Sequence, residues 1–477
     1  MERTDGIIDL LVVGGGTAGI VGAKTAARLG ANTVLVEYAR TGGDCLWTGC
    51  VPSKTLLSAA RSSAAERALG GRGAAFAEVR ARIAQAIAAI EPDDSPASLD
   101  SVGASVLTGT VRFTAPGEAD VDGRTVRFRQ ALIATGSAPL VPPIPGSAKA
   151  HVVTSETVWD LEELPQRLVI IGGGPIACEL GQAFARLGSA VVMLVRSEIL
   201  PKEDRDAAAI VRDSLQKDGV EIVEGVETEC ISTVPEDGNS SGGDPRSVVH
   251  TSGGRVFDAD VILIAAGRKA RTEGLGLEHV GVECDSAGHV VVDSGMRTSN
   301  PRIWAAGDVT PHPDFTHLAG VYASTAASNA VLGVHRSVST IVPRVTFTSP
   351  EVAAVGATTA EGKGQTISTV LHAHSDRAIT EGQTSGFTRL VIGKGGRILG
   401  GTIVGPRAGE SLGELTLAVH QKLTTRDLAG VTHPYPTFND ALWNAAIADA
   451  RTALESPLVR TAMTGLVKFN RWRNRRS

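Results

Sequence analysis

Cys45 and Cys50 are the residues of this chain whose types and spacing most directly predict chemistry. They lie in the run GGDCLWTGCVPSK at residues 42–54, with four residues between them. So close a pair can form a small disulfide ring and reopen it with little backbone movement, whereas structural disulfides usually join residues far apart in sequence. A helix predicted to begin near Pro52 has its positive N-terminal end beside Cys50, where it stabilises a reactive thiolate. The pair therefore predicts redox chemistry.

Two inert buried thiols, or half of a zinc site, are the alternatives for this pair. Zinc needs two further ligands at matching spacing. The sequence has neither a second close cysteine pair nor a cluster of cysteine and histidine, and we predict no metal site.

A dinucleotide-binding fingerprint precedes the cysteines. Residues 8–37 read as strand, glycine turn, helix and strand, with Gly14, Gly16 and Gly19 at the first, third and sixth places of the turn. These glycines permit a tight turn, close approach of the backbone to a pyrophosphate, and packing of the helix on the sheet. Glu37 ends the second strand, where it can bind the ribose hydroxyls of an adenine dinucleotide.

The same unit recurs at residues 168–195, with Gly172 and Gly174 in its turn. Two such units predict two nucleotide cofactors, the alternative being glycine turns of an α/β protein that bind nothing. The residue that corresponds to Glu37 is valine in the second unit, followed by Arg196 and, six residues later, Lys202. Because cations attract a 2′-phosphate that an acid would repel, the second site predicts NADPH rather than NADH. Otherwise, Arg196 is a solvated surface residue.

Two further apolar segments end in glycine and are suited to a backbone that passes close to a cofactor, and a third ends in an acid. The first segment ends with Thr135 and Gly136, the second with Gly267, and the third with a Gly-Asp pair that includes Asp308. Asp308 can accept a hydrogen bond from a flavin ribityl hydroxyl, or it can cap a turn or helix. Residues 236–246, rich in glycine, asparagine and serine, predict a surface hairpin loop.

From residue 343 onward the pattern changes. Strands are predicted at 366–372, 388–392 and 398–404, and helices at 410–422 and 440–454, without a nucleotide fingerprint. A third domain that buries one face of a sheet and carries no cofactor is commonly an oligomerisation module.

Composition is that of a globular enzyme rather than of a secreted, nucleic-acid-binding or membrane-spanning protein. With 477 residues, 42% of them hydrophobic, the chain can fill two or three cores. The net charge of −5 gives no general attraction to nucleic acid, and five cysteines are too few for a secreted disulfide scaffold. Since we find neither a signal peptide nor an apolar stretch of about 18 residues, we expect a cytoplasmic protein.

Together these residues resemble the pyridine nucleotide-disulfide oxidoreductases, the flavoenzymes that include dihydrolipoamide dehydrogenase, glutathione reductase and mercuric reductase. The resemblance rests on the two fingerprints, the Cys-x4-Cys-Val-Pro-Ser-Lys run, the Ala-Ala-Gly-Asp stretch and the Thr-Phe-Thr-Ser-Pro-Glu run at 346–351. It implies an α/β fold with two Rossmann-like domains and a C-terminal α+β dimerisation domain, and hence a homodimer. The implied boundaries are 1–150 with 275–342 for FAD, 151–274 for NAD(P), and 343–477 for dimerisation.

The resemblance also implies roles for individual residues. Cys50 would face the flavin as the charge-transfer thiolate, and Cys45 would exchange with the substrate. Lys54 would pair with Glu179 near the reactive edge of the isoalloxazine ring.

The chain departs from the family in its dimerisation domain. Members that reduce disulfides typically carry a His-Pro-Thr run with an acid a few residues on, and the histidine acts as acid and base at the partner subunit's cysteines. Here Tyr435 stands in the place of that histidine, and Asp440 is the acid. A phenol with a pKa of about 10 is a poor base at neutral pH. Mercuric reductases also have tyrosine here, but they commonly end in a cysteine pair that this chain lacks.

His433, two residues before the tyrosine, is either a satisfied loop histidine or a base that reaches the site by a local shift. The sequence thus predicts an enzyme that passes electrons from NADPH through FAD and the Cys45-Cys50 disulfide to a metal ion, a quinone or a reactive disulfide. A dihydrolipoamide dehydrogenase is the first alternative. A redox sensor or partner-binding flavoprotein that uses the disulfide as a switch is the second.

The C-terminal tail from residue 458 carries six cations and no acid, interleaved with apolar residues. Such a segment can lie weakly on an anionic membrane surface, or it can be a solvated terminal helix packed on the dimer.

Overall fold

The computed structural model describes residues 7–234, 246–455 and 457–475. The chain divides into two compact units. One extends through Ile199 and includes Asp218–Thr340, and the other consists of Leu200–Lys217 and the chain from Ile341 onward. Of the loop predicted at 236–246, only Arg246 lies within the described residues, where it begins a strand.

The first unit contains a mainly parallel sheet built on the first fingerprint. Its central strands are hydrophobic runs such as Ile8–Val13, in which Leu10, Leu11 and Val12 are fully buried, as expected of parallel strands covered on both faces. In spatial order the strands are Ala104–Thr108, Thr33–Glu37, Ile8–Val13, Arg124–Ile133, Glu118–Val121 and Val111–Ala115, with Ile303–Ala305 also paired to Arg124–Ile133. The helices Thr17–Arg28 and Thr316–Leu332 pack against each other beside this sheet.

A second sheet in the same unit is entirely parallel and contains the second fingerprint. Its order is Val220–Glu224, Ala190–Val195, Arg167–Ile171, Val261–Ile264 and Val152–Thr154. Two small antiparallel sheets accompany it: Thr228–Val234 with Arg246–Thr251 and Val256–Ala259, and Ser137–Pro139 with Arg268–Ala270.

The helix that follows the cysteines begins at Cys50, two residues before the predicted start, and runs to Ala68. It packs on Pro175–Leu187, the helix of the second fingerprint, which brings the two fingerprint regions together. The other helical segments of this unit are Gly43–Trp47, Phe76–Asp94, Pro96–Asp100 and the short 3-10 turns Ser147–Lys149, Val158–Asp160 and Leu277–Val280.

The second unit is an antiparallel sheet covered by helices. The strand order is Arg344–Thr346, Glu351–Gly356, Ile398–Gly405, Phe387–Ile392 and Thr366–Leu371, so the three predicted strands are present within one residue at each end. The helical segments are Arg205–Lys217, His372–His374, Asp376–Thr380, Lys394–Gly396, Ala408–His420, Thr425–Ala429, Asp440–Leu454 and Pro457–Arg473. The helix predicted at 410–422 begins and ends two residues earlier, whereas that predicted at 440–454 has the expected bounds.

Ion pairs hold segment 200–217 to the rest of the second unit. Arg389 binds Asp204 at 2.6 Å and Asp206 at 2.7 Å, and Arg344 binds Glu203 at 2.8 Å. Asp204 is almost fully buried, so its pairing with Arg389 offsets the desolvation of its carboxylate. Among the described residues, no helix is both long enough and apolar enough to span a membrane.

Candidate active site

The glycine turn before the helix Thr17–Arg28 forms the first nucleotide cradle. Gly14 has a φ of +105°, and a Cβ there would lie 2.5 Å from the carbonyl oxygen of Ala134, so only glycine fits. A Cβ on Gly16 would have Gly43 Cα, at 3.8 Å, as its nearest neighbour, whereas one on Gly19 would collide with the Gly14 carbonyl oxygen at 1.8 Å. The helix therefore closes tightly on its turn but leaves room for a pyrophosphate at its N-terminus.

Glu37 is held against this turn at the end of the second strand. Its carboxylate accepts hydrogen bonds from Gly15 N at 2.6 Å and Ala39 N at 2.8 Å, and the residue is 8% exposed. A carboxylate fixed beside a glycine turn is well placed to bind ribose hydroxyls, so these residues fit the adenosine half of FAD.

The second turn repeats this geometry with a different side chain at its edge. Gly172 has a φ of +141°, and a Cβ there would lie 2.3 Å from the Ala265 carbonyl oxygen. At Gly174 an added Cβ would meet nothing within 4 Å, so this helix N-terminus is also open. A Cβ on Gly173 would lie 2.5 Å from Val195 Cγ1, which shows that Val195 occupies the place that Glu37 has in the first turn.

Arg196 and Lys202, the predicted 2′-phosphate ligands, are both exposed. Arg196 directly follows the strand Ala190–Val195 in the first unit and forms no ion pair with any described residue. Lys202 belongs to the second unit, next to the anchored acids Glu203 and Asp204.

The remaining predicted cofactor residues lie at strand ends in the first unit. The Thr135 hydroxyl donates to the Arg271 carbonyl at 2.7 Å. Gly136 and Gly267 immediately precede the two strands of the small sheet Ser137–Pro139 and Arg268–Ala270. Asp308 accepts a hydrogen bond from the Ser137 hydroxyl at 2.9 Å, and burial raises the pKa of its carboxyl.

Cys45 and Cys50 are free, half-buried thiols that are hydrogen-bonded to each other. The Cys45 thiol, followed by the Thr316 hydroxyl and the Lys54 charge, outweighs the effect of burial and lowers the pKa of Cys50 from 9.0 to about 6. The same thiol–thiol hydrogen bond, together with burial, raises the pKa of Cys45. At neutral pH, Cys50 is therefore the thiolate and Cys45 the protonated partner.

Lys54 and Glu179 form the ion pair that the resemblance implies. Lys54 Nζ lies 2.9 Å from Glu179 Oε2, and the Glu179 side chain is only 8% exposed. Lys54 is four residues after Cys50 on the same helix, so the two side chains share a face. The pair thus places a positive charge on the side of the helix that carries the reactive thiolate.

Two residues of this site have no motif that would reveal them in sequence. The Thr316 hydroxyl lies 3.3 Å from Cys50 Sγ, because the helix Thr316–Leu332 begins beside the cysteines. The Arg268 guanidinium lies 3.2 Å from Asp44 Oδ2 and 3.8 Å from Asp308 Oδ2. Arg268 therefore links the loop of the cysteines to the predicted flavin residue Asp308, and its only sequence signal is its position after Gly267.

His433 lies inside the second unit in a fully satisfied position. Its Nε2 is 2.7 Å from Glu414 Oε1 and its Nδ1 is 3.0 Å from the Val431 carbonyl. The ring stacks on Trp443 with centroids 5.4 Å apart, and the side chain is only 4% exposed. These contacts are those of a satisfied loop histidine.

Tyr435 has the opposite environment. It is 70% exposed, and its hydroxyl donates to Asp376 Oδ2, which raises the pKa of the phenol. Asp440, the predicted acid, is buried at the start of its helix and accepts hydrogen bonds from Thr437 N at 2.9 Å and the Thr437 hydroxyl at 3.2 Å. Both oxygens of Asp440 are therefore engaged by Thr437, in the loop that precedes the helix.

Comparison with known proteins identifies the family. The model of the pyridine nucleotide-disulphide oxidoreductases matches residues 8–323, and that of their dimerisation domain matches residues 342–446. A mercuric reductase of Streptomyces lividans is 36% identical over 92% of this chain and 95% of its own length. A dihydrolipoyl dehydrogenase of Thermus scotoductus is 35% identical over 94% of this chain and 98% of its own length.

Solved structures give the same result. The HOCl-induced flavoprotein disulfide reductase RclA from Escherichia coli has a TM-score of 0.82 and 28% identity, covering 91% of this chain and 98% of its own. LpdA from Mycobacterium tuberculosis has a TM-score of 0.83 and 26% identity, covering 92% and 99%. The predicted fold class, the cofactors FAD and NAD(P)H, and the homodimer are confirmed at the level of the family. The chain belongs to the pyridine nucleotide-disulphide oxidoreductase family and is an NAD(P)H-dependent FAD disulfide oxidoreductase.

Proposed function

We propose that this enzyme uses NADPH to reduce a thiophilic metal ion through the Cys45-Cys50 pair. Bound FAD supplies the step that accepts a hydride from the nicotinamide and passes two electrons to the disulfide. Residues 1–150 with 275–342 hold FAD, residues 151–274 hold NADPH, and residues 343–477 form the dimer. The FAD ligands are Gly14, Gly16, Gly19, Glu37, Thr135, Gly136 and Asp308, and the NADPH site is formed by Gly172, Gly174, Arg196 and Gly267.

The preference for NADPH follows from the edge of the second glycine turn. Val195 stands where the first turn has Glu37, and the next residue, Arg196, is an exposed cation. This arrangement removes the acid that would bind a 2′-hydroxyl and supplies a charge that binds a 2′-phosphate.

The two cysteines hold two electrons as a thiol and a thiolate and give them up when the disulfide forms again. Two electrons and one proton break the disulfide and leave a thiolate on Cys50 and a thiol on Cys45, which is the charge distribution that the hydrogen bonds around Cys50 favour. Lys54, fixed by Glu179, stabilises negative charge on this face of the helix. Because the pair must be able to return to thiols, we propose a cytoplasmic location.

The surroundings of Tyr435 and His433 are the observation that supports a metal acceptor. Reduction of a disulfide requires protonation of a leaving thiolate, and reduction of a quinone consumes two protons. A metal ion that accepts two electrons from the thiol and thiolate releases one proton instead. Tyr435 is a phenol whose pKa is raised further by Asp376, and His433 is enclosed by Glu414 and Trp443, so neither is a ready proton donor.

Assays of the holoenzyme with a panel of acceptors test this proposal. We expect oxidation of NADPH to depend on mercuric ion presented with excess small thiol, to be slow with glutathione disulfide and lipoamide, and to be abolished in both Cys45→Ser and Cys50→Ser. A quinone completes the panel. Faster turnover with lipoamide than with any metal ion would refute the proposal.

Dihydrolipoamide dehydrogenase activity is the second candidate function. The hydrogen bond between His433 and Glu414 favours it, because a histidine held by a carboxylate is the usual form of a catalytic base. In that case, turnover with lipoamide would be lost in His433→Ala and retained in Tyr435→Phe.

A further inference from the structure

The helix Pro457–Arg473 is the last element of the chain and lies beyond residue 446, where the match to the family's dimerisation domain ends. Residues 460–475 are all exposed. They include large apolar side chains that a solvated terminal helix does not need.

Most cations and most large apolar side chains of this helix lie on different sides, with Arg473 among the apolar residues and Val467 beside the cations as the exceptions. Arg460, Lys468 and Arg471 recur at intervals of eight and three residues on one side which, together with Arg475 just past the end of the helix, we call the basic face. Leu466 and Phe469 lie opposite and are 67% and 58% exposed, and Met463, which is 45% exposed, lies at the border between the two sides. We call the side of Leu466 and Phe469 the apolar face.

The charge of the helix differs from that of the rest of the chain. Residues 457–477 hold six of the 46 lysine and arginine residues and none of the 51 acids, so the other 456 residues have 40 cations against 51 carboxylates. Within the part of the chain that the structure describes, no cation of the basic face forms an ion pair. Two such helices would repel each other, which argues against pairing of this helix with its own copy in a second chain.

We propose that this helix binds the enzyme to an anionic phospholipid surface. The apolar face would enter the boundary between headgroups and acyl chains, and the basic face would contact the headgroup phosphates. Nucleic acid would satisfy the cations but offers no counterpart for exposed leucine, methionine and phenylalanine. The combination of both faces on one helix therefore favours a lipid surface.

Cosedimentation of the full-length holoenzyme with vesicles tests the proposal. The vesicles are phosphatidylcholine alone, or phosphatidylcholine with phosphatidylglycerol, at low and high salt. We expect salt-sensitive binding to the anionic vesicles only. Each cation near such a surface contributes about 1 kcal/mol, or about fivefold in partitioning, so K468Q/R471Q should weaken binding about 25-fold.

The matched control is K149Q/K363Q, which removes two exposed cations elsewhere and should leave binding unchanged. L466S/F469S keeps the charge and should also weaken binding, since it removes the apolar contact. Equal binding by the two charge variants, or no binding by the unaltered enzyme, would overturn the proposal. Two further results would overturn it. In the first, L466S/F469S leaves vesicle binding unchanged and the unaltered protein binds a DNA duplex as tightly as it binds vesicles. In the second, the unaltered protein associates with itself in the absence of lipid and L466S/F469S abolishes that association. Turnover of NADPH by each variant verifies that it is folded.

Discussion

Replacing Thr316 with valine should raise the pKa of Cys50, because it removes a hydroxyl that lies 3.3 Å from the sulfur. When Cys50 is ionised, its sulfur accepts the hydrogen bond and the hydroxyl donates it. Valine has nearly the shape of threonine, so the substitution changes this hydrogen bond and leaves the start of the helix Thr316–Leu332 filled.

The size of the effect follows from the energy of a hydrogen bond to a charged group. Such a bond contributes about 1.5–3 kcal/mol, and the half-buried position of Cys50 and the length of the contact place this one at the low end. Since 1.36 kcal/mol is one pKa unit, the pKa of Cys50 should rise from about 6 to roughly 7. The thiolate fraction at pH 6 then falls from about a half to about a tenth, so alkylation at that pH should slow about fivefold.

The measurement is the rate of alkylation of Cys50 by iodoacetamide in the reduced enzyme, followed by mass spectrometry of the peptide between pH 4 and pH 9. Thr316→Ser keeps the hydroxyl and should keep a midpoint near 6. Cys45→Ala removes the largest stabilising contact and should raise the midpoint more than Thr316→Val does. An unchanged midpoint in Thr316→Val, with a raised one in Cys45→Ala, would show that the threonine does not stabilise the thiolate.

Three further changes have expected outcomes. Arg196→Glu should reduce the ratio of kcat/KM for NADPH over NADH by about ten- to a hundredfold, the effect of one charge-assisted hydrogen bond; equal use of both nucleotides by the unaltered enzyme would contradict this. Tyr435→His should raise turnover with lipoamide, by up to about 100-fold if the new imidazole reaches the cysteines. If lipoamide binds but turnover does not rise, the lack of a base at position 435 is not what limits this reaction. Burial lowers the pKa of His372 to about 4 in the folded protein, whereas in the unfolded chain it keeps its ordinary value of about 6.5. Between these two pH values only the unfolded chain binds the proton, so the free energy of unfolding should fall by about 3 kcal/mol as the pH falls from about 6.5 to 4. His372→Gln should flatten this loss in urea denaturation, whereas the same change at the exposed neighbour His374 should not.

Local sequence patterns are sufficient to predict most of the fold. The glycine turns, the acid at the end of the second strand and the period of the apolar residues each act within about 30 residues, and the strands at both fingerprints lie where they were predicted. The helix after the cysteines was placed two residues late, because Pro52 is the third residue of that helix rather than the first. A proline tolerated anywhere in the first turn marks a helix start only to within a turn.

Residues that act through distant contacts were harder to predict. Thr316 is 266 positions from Cys50, and Arg268 reaches from a small antiparallel sheet to Asp44 in the helical segment Gly43–Trp47, so their roles depend on how the elements pack. The environments of the candidate acid and base depend on packing in the same way. Sequence places His433 and Tyr435 two residues apart in one loop, yet one ring is enclosed by Glu414 and Trp443 while the other is in solvent. For His433 to reach the cysteines of a partner subunit, the loop must break its hydrogen bond to a carboxylate and its stack on tryptophan. Those contacts are the reason for proposing an acceptor whose reduction requires no proton donor.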